Sequence, residues 1–122
     1  MTVSEAITVT DRAMPGAATR EEKLRWLTEV DGTVKAEILD GYEDGGADAV
    51  SYGEDTPPDR ALLIPPPYDS AYPFYIESRT ELAQGEYERY NNAVMMFSAE
   101  LAAFRNEYNR THTHKSEKLK FY

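Results

Sequence analysis

Three groups of residues in this 122-residue chain have types and spacings that could carry chemistry. His112 and His114 alternate like a strand pair and could share a metal. Neither has a third ligand close by in the sequence, and a closed site needs three or four, so no metal is assigned. Glu77 with Glu81, and Glu86 with Glu88, are spaced as carboxylate pairs, the arrangement used in general acid–base work. Helix surfaces carry many such pairs, and Glu77 and Glu81 at i, i+4 repel mildly as two exposed acids do, so no catalytic residue is assigned. Asp40, Glu43, Asp44, Asp48, Glu54, Asp55 and Asp59 follow one another without a base and could attract divalent cations loosely. They lack the spaced ligands and fixed glycine of a calcium loop. There is no cysteine, which excludes disulfides, thiolate metal sites and cysteine nucleophiles. No glycine-rich phosphate loop, zinc pattern or nucleophile elbow is present. The chain reads as a non-enzymatic protein with no cofactor.

What remains is contact chemistry. Seven tyrosines lie between positions 68 and 122. They serve either amphipathic packing with the hydroxyl at the rim or an interface, where tyrosine is enriched. The formal net charge is -9, which disfavours bulk binding to a phosphate backbone. The charge is uneven. Against the acidic run at 40–59, the end of the chain holds Lys115, Lys118 and Lys120 with Glu117 as its one acid. That polarity suits head-to-tail contact between copies, and equally two solvated segments. No apolar run approaches a membrane span and no basic-then-apolar leader opens the chain, so a soluble, unexported protein with no membrane partner is expected.

The positioning elements are helices. Tyr87, Tyr90, Val94, Phe97, Leu101, Phe104 and Tyr108 recur at alternating spacings of three and four. Those side chains form one stripe on a helix over 86–110, whereas a strand would scatter them over both faces. The stripe is expected to be the core seam, so Phe97→Ala should cost roughly 3–5 kcal/mol. A second stripe of Met95, Met96, Ala99, Ala102 and Ala103 is small and pliable, open to another helix of the chain or to another subunit. Upstream, Thr2 or Ser4 caps a first helix to Ala13 with Val3, Ala6, Ile7 and Thr10 on one face, ended by Pro15-Gly16. Thr19 and Glu22 form a capping box for a second helix that carries Leu24, Leu27, Val30, Val34, Ile38 and Tyr42. Trp26 sits off that stripe, in the core or at an interface. Asp31-Gly32 marks a kink or a close backbone approach. Asp69 or Ser70 caps a third helix, whose inner face is Ala71, Tyr72, Tyr75, Ile76, Arg79, Leu82 and Ala83. Gly85 closes it. One glycine is a short break, so a kink or tight corner into the fourth helix is expected.

Between the second and third helices, periodicity is lost. Glycines, prolines and six of the seven acids make a long loop over 43–60, expected to be mobile from Gly45 to Pro57. Leu62, Leu63 and Ile64, stopped by Pro65-Pro66-Pro67, read as a hydrophobic plug pinning the loop to the helices, with a short strand as the other option. After Arg110 the chain has no helical face and ends on Lys118, Leu119, Lys120, Phe121 and Tyr122, which look like anchors for something outside the chain. The expected fold is all-α: a small bundle of about four helices over 1–110 with a long C-terminal helix, a long acidic loop, and an extended tail over 111–122.

Three stretches together resemble a known family: Glu22-Lys23-Leu24-Arg25-Trp26-Leu27 with Asp31-Gly32; Leu63-Ile64-Pro65-Pro66-Pro67-Tyr68-Asp69; and Gly85-Glu86-Tyr87-Glu88-Arg89-Tyr90-Asn91-Asn92 running on to Asn109-Arg110-Thr111-His112. They are similar to the head–tail connector (adaptor) proteins, also labelled DNA-packaging proteins, of tailed bacteriophages and prophages of Gram-positive bacteria. The resemblance implies a helical virion assembly protein, made in the bacterial cytoplasm and resident in the neck of the particle. It would form a ring homo-oligomer joining the portal protein to a neck or tail completion protein and help retain packaged DNA, meeting DNA only as it passes through the channel. It implies contact through the acidic loop and the tail. The candidate interface residues are Met95, Met96, Ala99, Ala103, Leu62, Leu63, Ile64, Lys118, Leu119, Lys120, Phe121 and Tyr122. A different class remains open: a soluble helical regulator binding one protein partner through the Met/Ala face.

Overall fold

The computed structural model describes residues 1–42 and 49–112. They form four helices and, among the described residues, no strand: α1 (Val3–Ala13), α2 (Arg20–Glu37), α3 (Ala71–Ala83) and α4 (Tyr87–Thr111). A 3-10 turn at Leu39–Gly41 extends α2 and delivers Tyr42 to the core.

Local chemistry sets the helix ends. Thr2 Oγ1 accepts the Glu5 N–H at 3.1 Å, and Glu5 Oε1 accepts the Thr2 N–H at 3.0 Å. Thr19 and Glu22 repeat the same reciprocal box at 2.9 and 3.1 Å. Each box satisfies two amides that a helix start leaves open. Ser70 holds the cap position of α3 but makes no capping hydrogen bond there.

α1 buries the face its sequence marked, Val3, Ala6, Ile7 and Thr10. The chain after the acidic run comes back to hold it: Val3 N–H donates to Arg60 C=O and Ser4 N–H to Pro58 C=O, both at 3.0 Å. α2 runs unbroken through Gly32, and a Cβ there would meet nothing within 4 Å, so the glycine does not mark a close approach. Trp26 is buried in the core.

α3 and α4 form an antiparallel hairpin, not a kink. Tyr68 meets Phe104 at 6.1 Å between ring centroids, Tyr75 meets Phe97 at 5.0 Å, and the Arg79 guanidinium lies 5.5 Å from the Tyr90 ring. Numbers rise along one helix as they fall along the other. One glycine suffices for this reversal. Gly85 takes φ +75°, Glu86 N–H reaches Glu81 C=O at 3.0 Å, and Gly85 N–H reaches Leu82 C=O at 3.1 Å. That is a Schellman closure, which ends a helix and turns the chain within two residues.

The organising helix is α3 rather than α4. Among the described residues α3 packs against α1, α2 and α4, while α4 packs on α3 and meets α2 through the Arg105–Glu37 ion pair at 3.4 Å. Being covered on several sides, α3 buries Ser78, Thr80 and Glu81, and it leaves Leu82 and Ala83 outside, against the expected inner face. Thr80 Oγ1 donates to Ile76 C=O at 2.8 Å and Ser78 Oγ to Tyr75 C=O at 2.6 Å, so both hydroxyls are satisfied within the helix. The α4 stripe is correspondingly graded. Phe104 is buried, Phe97, Leu101 and Tyr108 are half-buried, and Tyr87 is 66 % exposed.

Leu62 and Ile64 enter the core, as a plug does, with Leu62 7 % and Ile64 0 % exposed. Of the segment expected to be mobile, residues 45–48 lie outside the described residues. The rest is pinned: Tyr52 is buried, and its N–H donates to Thr28 Oγ1 at 2.9 Å. A buried aromatic overrides the glycine-rich, acidic composition around it.

The pin is completed by Asp31, which is fully buried on α2. Its Oδ2 accepts the Tyr52 hydroxyl at 2.5 Å and the Leu63 N–H at 3.1 Å, and its Oδ1 accepts the Tyr72 hydroxyl at 2.5 Å. Tyr72 Oη in turn accepts the Ile64 N–H at 2.7 Å. One carboxylate thus joins α2, α3 and both halves of the 52–64 segment. Burial pushes the Asp31 carboxyl above its ordinary range, against the opposing pull of its three donors. Burial and the adjacent carboxylate push both phenols well above theirs.

Candidate functional site

α4 has 25 residues, so it is about 37 Å long at 1.5 Å per residue, and it projects beyond the support that α3 gives it. Its packed edge is Ala93, Phe97, Leu101, Phe104 and Tyr108. Its other side presents Met95 at 70 % exposure, Met96 at 49 %, and Ala99, Ala102 and Ala103, all exposed. Helical period produces this division, because the Met/Ala positions stand one or two residues off the aromatic seam. Two adjacent methionines at such exposure are unusual on a polar helix surface, and their flexible thioethers adapt to varied partners.

Of the candidate interface residues, Met95, Met96, Ala99 and Ala103 therefore share one open surface. Leu62 and Ile64 do not belong to it: their apolar surface is already covered by this chain's own core. Leu63 is half-buried and borders an apolar groove of about 250 Å³ at the foot of α4, with Leu39, Tyr68, Phe104 and Tyr108. Lys118, Leu119, Lys120, Phe121 and Tyr122 lie outside the described residues. His112 closes α4 by stacking on the Tyr108 ring, with centroids 3.6 Å apart and planes 3° from parallel. Its Nδ1 lies 2.9 Å from Thr111 Oγ1 and 3.2 Å from Tyr108 C=O. His114, its suggested metal partner, is outside the described residues. Among those described, no grouping of His, Asp or Glu could hold a metal ion, and no helix is long and apolar enough to cross a membrane.

Two groups escaped sequence reasoning. Asp31 is one, and its signal was present: Leu24, Leu27, Asp31, Val34 and Ile38 keep alternating spacings of three and four, so a carboxylate occupies a core register. Glu81 is the other. Its pairing with Glu77 suggested an exposed face, yet Glu81 is 4 % exposed. Nothing local announces this, because burial depends on which distant elements lie against α3.

Fold and surface together define a small all-α bundle that carries an open apolar helix face. No family model, no curated protein and no solved structure matches the chain.

Proposed function

We propose that this chain is a non-enzymatic virion assembly protein, a head–tail connector of a tailed phage or prophage. In this reading copies associate into a ring between the portal protein and a neck or tail completion protein, and the ring helps retain packaged DNA. The observation that carries it is the Met95–Met96–Ala99–Ala103 face on a long helix whose opposite edge is already packed. Such a surface loses free energy by staying in water, at about 25 cal/mol per Å² of apolar area, and a neighbouring subunit would cover it. The resemblance of the 22–32, 63–69 and 85–112 stretches to connector proteins supplies the identity of the assembly. The acidic balance fits a channel through which DNA slides without sticking.

Native mass spectrometry and sedimentation, alone and with the portal protein encoded beside the same gene, test the proposal. Ring-sized species, or a stoichiometric complex with the portal, are expected. A persistent monomer that ignores the portal and binds one unrelated protein through the Met/Ala face would refute it and favour a helical regulator.

A further inference from the structure

α4 ends beside a groove that its own aromatic seam floors. Phe104, Tyr108 and His112 stand at successive i, i+4 positions, so their rings share one face and step toward the end of the helix. Phe104 and Tyr108 meet edge to face at 5.7 Å, and the His112 ring stacks on Tyr108. Leu39, Leu63 and Tyr68 close the other side, around a volume of about 250 Å³ lined mostly by carbon. A typical small-molecule site has ~300–1,000 Å³, so this groove is of a size for one or two large side chains instead.

The chain itself brings such side chains to the lip. His112 lines the groove and leaves α4 in extended backbone, at φ -128° and ψ 156°, with its Nδ1 3.2 Å from Tyr108 C=O. The ten residues that follow, 113–122, lie outside the described residues, and they end on Leu119, Phe121 and Tyr122. The groove runs back along α4 from His112 to Phe104, about 12 Å at 1.5 Å per residue. Leu119 stands seven residues past His112, a tether that spans up to about 24 Å. Reach is no obstacle, and a single reversal of the chain brings its end over Phe104 and Leu63. In an extended segment Leu119 and Phe121 share one side, which supplies two apolar side chains together. Three lysines against one acid, on a chain of net charge -9, draw this segment toward the rest of the molecule. A tether this short also holds its end at an effective concentration of order millimolar, which favours the chain's own end over that of a second copy at micromolar concentration.

We infer that the groove is the docking site of the chain's own C-terminal segment, 113–122, with Leu119 and Phe121 laid against Phe104 and Leu63. The segment latches its own subunit, and a partner that takes these two side chains must first draw them out. The inference stands apart from the ring reading, which concerns the Met/Ala face.

The full-length protein, unaltered and as the double variant Leu119→Ser/Phe121→Ser, is compared by NMR. In the unaltered chain, nuclear Overhauser contacts are expected from the Phe121 ring to the Leu63 methyl groups and the Phe104 ring. They should persist on dilution and be absent from the isotope-filtered spectrum of mixed labelled and unlabelled copies, which reports contacts between chains. A synthetic peptide of residues 113–122 is then titrated, followed by amide shifts over 63–68 and 104–112. It should bind the double variant about tenfold more tightly, or better, than it binds the unaltered chain, whose own end already fills the groove. Thermal melting checks that the double variant keeps its fold, and Phe121→Ser alone serves should it not. Contacts seen only between chains would make a second copy the occupant and overturn the inference. So would the absence of any contact from Phe121 to the groove, a peptide that binds neither protein, or equal affinity for both.

Discussion

Asp31→Ala removes the acceptor of three donors at once, two tyrosine hydroxyls and the Leu63 amide. Each buried donor left unpaired costs about 1–3 kcal/mol, and relief of the desolvated carboxylate offsets part of the sum, so a net loss of roughly 3–5 kcal/mol is expected. That is a large share of the 5–15 kcal/mol typical of a whole domain. Asp31→Asn should cost less, for a reason visible in the geometry. Its amide oxygen can replace Oδ2 and keep Tyr52 and Leu63, while its NH2 faces Tyr72. Tyr72 Oη already accepts the Ile64 N–H, so one hydroxyl proton loses its acceptor, at about 1–2 kcal/mol. Urea unfolding followed by Trp26, the one tryptophan and a buried one, reads both values. The pH dependence adds a sign. The Asp31 carboxyl is raised in the fold, so the native state holds its proton more readily than the unfolded chain does. Its contribution is fully present below the ordinary carboxylate range and is lost as pH rises through the folded value. The asparagine variant lacks this titration, so its penalty should be larger in acid than at neutral pH. A cost below about 1 kcal/mol for Asp31→Ala, or an asparagine penalty that grows with pH, would refute the hub and its burial-dominated carboxyl.

Phe97→Ala should cost about 2 kcal/mol rather than the 3–5 of a central residue, because Phe97 is half-buried against Tyr75; calorimetric melting decides between the two figures. Thr19→Ala should cost about 1 kcal/mol through loss of the α2 capping box, read by urea unfolding. The Thr19 amide and hydroxyl hold the Glu22 carboxyl below its ordinary range, so that part of the effect is present above the usual Glu range and fades as pH falls through the lowered value. Met96→Lys should leave the melting temperature within the small range of surface substitutions while abolishing self-association or portal binding in sedimentation. An unchanged assembly would remove the Met/Ala face from the proposal.

Much of the local structure was legible in the residues. Threonine followed three positions later by glutamate announced the start of α2, because a capping box involves only neighbours along the chain, whereas at α1 the cap stayed open between Thr2 and Ser4 until the structure chose Thr2. The aromatic repeat over 87–108 announced α4 as a helix, because 3.6 residues per turn turns spacing into a face. Spacing could not say how deeply that face would be buried. Depth depends on what lies opposite: Tyr68, from the connection before α3, meets Phe104 and helps cover it, while Tyr87 stands in water. The same limit hid the antiparallel hairpin, since Gly85 permits either a corner or a reversal until the rings of Tyr68 and Tyr75 find partners on α4. It hid the anchoring of Tyr52, whose acceptor lies 21 residues back along the chain.

The sequence by itself determined four helices, the capping box that starts α2, and an apolar Met/Ala face on the last. Tertiary structure alone decided that α3 lies at the centre, that Asp31 ties the long connection to two helices, and that Glu81 is buried instead of standing in solvent. Helix periodicity and capping are satisfied within a few residues, whereas burial and the pairing of a buried charge depend on what distant segments bring to the same place.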